Sequence, residues 1–202
     1  MRGLLQGNTV TLVTSGADPA DRDAVVALLQ QAGATLGGEV ALTPAVGDPA
    51  RADQLRALTA ELLPAGAQLP AAADTGSLVG GLLSGIVLAP AGQQPGQPVT
   101  AQQADAVLAG LAAAVVARLA AQLDRSGGGA VLAGRTGSAD ATGAVGVARA
   151  DPGIVQRVST VDDVQTGAGQ VSSVLALREQ LDGRSGSYGT SATATEGAAP
   201  AA

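Results

Sequence analysis

Three carboxylates stand where a parallel sheet gathers its chemistry. Asp18 follows the β-branched run Thr9 to Thr14 and its Ser15-Gly16 turn, and Asp162-Asp163 follows Val158 to Val161. If the two runs are neighbouring strands, their carboxyl ends bring Asp18, Asp162 and Asp163 together as hard oxygen ligands suited to Mg²⁺ or Ca²⁺. The simpler reading, which we prefer, has Asp18 capping a helix and the Asp162-Asp163 pair forming a turn. Gly127 to Gly129 and Gly134-Arg-Thr-Gly-Ser138 flank another apolar run and invite comparison with a phosphate cradle. Neither follows G-x-x-x-x-G-K-[ST], and the chain contains no Lys to complete one, so ordinary βα turns are expected. Ser and Thr nucleophiles are plentiful, but the chain has no His, and no Asp or Glu pair singles itself out as a base. No catalytic residue, metal ligand or cofactor site is assigned, and the expectation is a protein that is not an enzyme.

The elements that would position these residues can be read from the pattern. Thr9 to Thr14 suits a buried strand. The helix after it has Asp18 as cap, Pro19 at the first helical position and Asp21 in the first turn, with Val25, Leu28, Leu29 and Ala32 facing inward before Gly33. Glu39 to Thr43 reads as the next strand. Asp48-Pro49 repeats the start signal for a helix with Leu55, Leu58 and Leu62 inward, ended by Pro64. Ser77 to Ala89 is apolar and rich in Gly, and Pro90 to Pro98 is a Pro, Gly and Gln linker. Thr100 with Gln103 predicts a capped helix running to Leu123, weakened in its middle by Gly110.

Beyond it, Ala130 to Ala133 reads as a strand, Ala144 to Ala150 as strand or helix, and Val158 to Val161 as a strand. A last helix places Val171, Val174, Leu175 and Leu181 on one face and stops at Gly183. The fold class is therefore α/β, a mostly parallel sheet with helices on both faces. It forms one domain over residues 1–183, with a linker near 90–99, and residues 184–202 are small and polar enough to predict a disordered tail.

Composition narrows the function. The net charge is −6, and all eleven basic residues are Arg, so a nucleic-acid surface is not expected. With no Phe or Trp and one Tyr, the core must be built from Ala, Val, Leu and two Ile, through many small contacts. Thr75 to Ala104 carries no charge and includes Gly81-Leu-Leu-Ser-Gly85, but its apolar part is short of the roughly 20 residues that a membrane span needs. No alternation of barrel period is present, and no signal peptide is visible at the start.

Three strings carry a resemblance: Pro64-Ala-Gly-Ala-Gln-Leu, Val131-Leu-Ala-Gly-Arg-Thr-Gly-Ser, and the passage from Val158 through Val161-Asp-Asp-Val-Gln-Thr-Gly-Ala-Gly-Gln to Ser187-Tyr188-Gly189. Together with Gly7-Asn-Thr-Val-Thr-Leu-Val-Thr-Ser-Gly-Ala-Asp-Pro they resemble the soluble domain of the actinobacterial MctB copper transport family, with SteB-like relatives. The resemblance implies an extracytoplasmic, membrane-associated cell-envelope protein linked to copper efflux and homeostasis. Its SteB-like side implies instead a scaffold for cell-division or envelope machinery. Partners would be envelope proteins or a second copy, and membrane attachment would come through an N-terminal anchor and coiled-coil stalk that this chain lacks. The resemblance also implies a further strand that is missing here, because Gly110-Leu111-Ala112-Ala113 joins two segments directly. That loss would uncover strand edges. Copper favours thiolate, thioether and imidazole ligands, and with no Cys, no His and only Met1 a dedicated copper site is not expected.

Overall fold

In the computed structural model, residues 1–46, 109–111 and 113–200 are described. β1 (Thr9–Ser15) is β-branched along most of its length and turns at Gly16, whose φ of +59° a side chain would resist. α1 (Pro19–Gln31) then starts as its sequence dictates: the Asp18 side chain accepts from the Ala20 amide at 2.9 Å, and Pro19 occupies the first turn. Gly33, at φ +93°, ends the helix and returns the chain to β2 (Thr35–Val46), parallel to β1. β2 begins earlier than the Glu39 to Thr43 segment that reads as a strand. The register slips between Val10 and Thr11, where Leu36 and Gly38 are the successive partners and Gly37 is the extra residue. β3 (Ala109–Leu111) pairs parallel on the other edge of β2.

The second half repeats the design. α2 (Ala113–Leu123) runs into a π-helical turn (Asp124–Gly128), then β4 (Val131–Ala133), α3 (Ala144–Ala150), the short α4 (Pro152–Val155) capped by Asp151, β5 (Ser159–Val161), α5 (Gly167–Leu181) and β6 (Ser187–Tyr188). Strand orders are β1-β2-β3 and β4-β5-β6, and every described pairing is parallel. The α/β, parallel character is that expected, with the described strands forming two three-stranded sheets. Alternation along β4 sets the layers of the second. Leu132 packs with Ala117, Ala120 and Ala121 of α2, Ala148 of α3 and Ile154 of α4. Val131 packs the other way, with Val161, Ala176 of α5 and Tyr188. A third cluster joins the halves, with Leu5, Leu29, Ala32 and Ala34 closing on Val174 of α5.

Three sequence-based expectations are corrected. Of the helix expected from Thr100 to Leu123, Ala113–Leu123 is helical but Ala109–Leu111 is a strand, and residues 100–108 lie outside the described residues. Weak local propensity there yields to the backbone hydrogen bonds that the edge of β2 offers. The inward stripe Val171, Val174, Leu175 and Leu181 is not the buried face of α5. Val174 is buried, Leu181 is 38% exposed, and the rest of the buried set is Gly169, Ser172, Ser173, Ala176 and Gln180. α5 lies against α1, β4 and β5, and Ser172 Oγ donates to the Ala198 carbonyl at 2.7 Å, so contact on several sides leaves no single apolar stripe. The third correction concerns 184–202: within residues 184–200 the chain forms β6 and returns hydrogen bonds to the body, including Thr190 N–H to Asp162 Oδ1 at 2.8 Å. Ala144 to Ala150, open between strand and helix, is helical. The helix expected after Asp48-Pro49, the apolar segment Ser77 to Ala89, the linker near 90–99 and the Thr100-Gln103 cap lie outside the described residues.

α5 also yields a paired prediction. A Cβ on Gly169 would sit 2.2 Å from the Asp163 carbonyl oxygen, whereas one on Gly167 meets nothing within 4 Å. Gly169→Ala should therefore cost about 1–3 kcal/mol or more through forced displacement of the β5–α5 turn. Gly167→Ala should be neutral or slightly stabilising. Urea melts of the two variants side by side check this, and equal midpoints would contradict it.

Candidate functional site

The carboxyl ends of β5 and β6 hold a buried polar cluster centred on Asp162. β5 ends at Val161, so Asp162 is the first residue past the strand, and its amide donates to Tyr188 O at 3.2 Å. Arg149, in the last turn of α3, reaches into the same place. The two side chains are 5% and 2% exposed, with Arg149 Nη1 2.7 Å from Asp162 Oδ2. Arg149 further donates from Nε to Thr160 Oγ1 (2.9 Å), from Nη2 to Tyr188 O (2.7 Å), and from Nη1 to Ser191 Oγ and Thr193 Oγ1 (2.9 Å each). Asp162 Oδ1 accepts from Thr190 N–H at 2.8 Å, and Oδ2 accepts from Ser191 Oγ at 2.8 Å. The chain passes this close because residue 189 is glycine. Its φ is +130°, and a Cβ there would lie 2.3 Å from Asp162 Oδ1.

The electrostatics follow from these contacts. Burial alone would raise the Asp162 carboxyl, but hydrogen bonds from Arg149, Thr190 and Ser191, with the Arg149 charge, outweigh it and hold the group below its ordinary 3.8. Ser191 Oγ on a carboxylate has the outline of a nucleophile and base, but a base works best with a pKa near the operating pH, and this one is displaced away from it. The arrangement fastens the C-terminal segment to β5 and offers no poised base. Beside it, the Tyr188 hydroxyl donates to Glu179, and burial, then that hydrogen bond and the Glu179 charge, push the phenol upward.

The three carboxylates singled out from sequence go to separate partners. Asp18 both caps α1 and faces Arg135, at 3.3 Å from Nη2, while Asp21 takes Arg135 Nε at 2.6 Å. This half-exposed bridge ties the loop after β4 to α1 and contributes little stability by itself. Asp162 is committed to Arg149. Asp163 is 2% exposed; its Oδ2 accepts from Thr166 Oγ1 at 3.1 Å and its Oδ1 has no partner, as is also true of the buried Ser138 Oγ. Among the described residues no three His, Cys, Asp or Glu side chains are grouped to hold a metal ion. The loop Gly134 to Ser138 is occupied by the protein's own groups: Thr136 N–H donates to Gln165 Oε1 at 3.1 Å, and Ser138 N–H to Arg135 O at 2.9 Å.

Sequence reasoning missed Arg149, Ser191 and Thr193. Arg149 does carry a signal, being a lone charge in the apolar run Ala144 to Ala150. Such a residue, if its helix is buried, needs a carboxylate partner. Ser191 and Thr193 carry none.

The family described as "Copper transport outer membrane protein, MctB" matches residues 1–114 and 109–199. A protein of Mycobacterium leprae named "Copper transporter MctB" is 34% identical over 230 residues, 94% of this chain and 73% of that protein. The chain belongs to the MctB family. Proteins of the same name from Mycobacterium bovis and Mycobacterium tuberculosis are also 34% identical, over 92% of this chain and 71% of each relative.

The MctB alignment is longer than this chain, 230 positions against 202 residues, so the relatives carry residues that have no counterpart here. The family match falls into two stretches that meet at 109–114, which is where β3 passes into α2. No helix among the described residues is long and apolar enough to cross a membrane.

Proposed function

We propose that this chain is a non-enzymatic, extracytoplasmic domain of the cell envelope that supports copper efflux and homeostasis without a copper site of its own. Membership of the MctB family supports the copper role, and the relatives' name describes copper transport. The observation that carries the mechanism is chemical: the sequence has no His and no Cys, and Met1 is its only thioether. Copper is therefore cargo handled by the assembly this domain joins, through envelope proteins or self-association. The purified chain should show no tight binding of Cu⁺ or Cu²⁺ in competition with a chelator. One-to-one binding at an internal site would overturn the proposal. In the source organism, deletion of the gene should raise copper sensitivity, and the intact gene should restore resistance.

A SteB-like scaffold for division or envelope machinery is the second reading. It is favoured by the consumption of the Asp162, Arg149, Ser191 and Thr193 polar groups in internal fastening. Under that reading the deletion would alter cell shape or septation and leave copper resistance unchanged.

A further inference from the structure

The amino-terminal ends of β5 and β6, opposite the Asp162 cluster, border a cleft of about 210 Å³ lined by Asp124, Gln156, Arg157, Arg184 and Ser185, with Gln180 among them. Gln180 is 8% exposed and held in place, its Nε2 donating to Arg157 O and Ser159 Oγ at 2.8 Å each. The guanidinium groups of this cleft differ from four others among the described residues. Arg22, Arg135, Arg149 and Arg178 each hold a carboxylate at 2.6–2.7 Å. Arg157 makes no side-chain hydrogen bond or close ion pair among the described residues, its charge acting only at longer range on Asp124 in the same cleft, and Arg184 approaches Glu179 only at 3.8 Å. Glu179 is already engaged by the Tyr188 hydroxyl. In a chain of net charge −6, two loosely held guanidiniums on one cleft mark a place that favours an oxyanion.

The remaining lining narrows the ligand. Asp124 repels a bare anion but accepts hydrogen bonds from hydroxyls, as does the Gln156 amide oxygen. No aromatic face lines the cleft, so a nucleobase has nothing to stack on. We propose that this cleft binds a phosphorylated polyol, with Arg157 and Arg184 on the phosphate and Asp124 and Gln156 on the hydroxyls. The same chemistry is offered by free glycerol 3-phosphate and by a glycerophosphate lipid headgroup.

The test is an amide NMR titration of the whole chain at low ionic strength with glycerol 3-phosphate, inorganic phosphate and glycerol, alongside sedimentation with phosphatidylglycerol and phosphatidylcholine vesicles. Saturating shifts should appear around residues 155–157 and 183–186, with glycerol 3-phosphate tighter than phosphate and glycerol silent. The double variant Arg157→Gln/Arg184→Gln should weaken binding about tenfold or more, and the charge control Arg2→Gln should not. Asp124→Asn should weaken glycerol 3-phosphate while strengthening inorganic phosphate. Arginine-dependent binding confined to phosphatidylglycerol vesicles would assign the ligand to the membrane surface, and binding in solution would assign it to a free metabolite. Absence of binding in both arms, or an affinity unchanged in the double variant, overturns the proposal. Arg157 and Arg184 are exposed and not needed for packing, so the variants should melt as the parent does.

Discussion

Arg149→Met should destabilise the domain by about 3–5 kcal/mol, because it strands a buried carboxylate whose principal partner is gone. Typical domains are stable by about 5–15 kcal/mol, so this one change threatens the fold. The direction follows from the geometry: Asp162 is 1% exposed, and Arg149 supplies its ion pair at 2.7 Å. The reverse replacement sharpens the test. Arg149→Met combined with Asp162→Leu removes both charges and should recover much of the loss, since an apolar pair of similar volume often matches a buried ion pair. A double-mutant cycle on urea midpoints measures the coupling. A single-variant cost below about 1 kcal/mol, the range of an exposed pair, would show that the pair does not hold the cluster together.

The same group predicts a pH dependence. Because the folded protein holds the Asp162 carboxyl below its ordinary 3.8, its contribution is fully present above that value and is lost as pH falls through the lower folded value. Arg149→Gln leaves the burial and removes the charge that opposes it. Acid unfolding of that variant should begin at higher pH than in the parent.

Truncation after Tyr188 should cost about 3 kcal/mol or more, since hydrogen bonds to charged groups contribute about 1.5–3 kcal/mol each. The cut removes the Thr190 and Ser191 donors to Asp162, the Ser191 and Thr193 acceptors of Arg149, and the Glu196 carboxylate on Ser187 N–H. It also removes the Ala198 carbonyl that Ser172 of α5 uses. Ser191→Ala alone should cost about 1–2 kcal/mol, which places its melt between parent and truncation. If the truncated chain melted with the parent, residues 189–200 would be decoration and the cluster would be held by Arg149 through Asp162, Thr160 and the Tyr188 carbonyl.

That expected result reverses what composition says of the same residues, and the reversal shows how legible this protein is. Ser, Thr, Gly and Ala past Gly183 have little apolar surface to bury, and by that measure the segment should be disordered. What orders it is polar satisfaction of a buried charge. Asp162 precedes its Thr190 and Ser191 partners by 28 and 29 residues, and nothing in local pattern records the contact. α5 teaches the same lesson. Its one-sided stripe looks apolar in sequence, yet burial on several sides selects Ser172, Ser173 and Ala176, whose small size permits close approach, and exposes Leu181.

The sequence by itself determined the features that depend on neighbours a few residues apart. β1 and α1, the Asp18 cap, the Gly33 and Gly183 stops, β4, β5 and the parallel α/β class all follow from side-chain period, capping and turn chemistry. The want of copper ligands is likewise a property of composition. Only the tertiary structure decided which carboxylate meets which arginine, that Asp18 belongs with Arg135 and Asp162 with Arg149, and that Ala109–Leu111 becomes a strand and not a helix. Those outcomes depend on which edge, charge or cavity arrives from elsewhere in the chain, because a buried donor or acceptor is costly until something distant pairs with it.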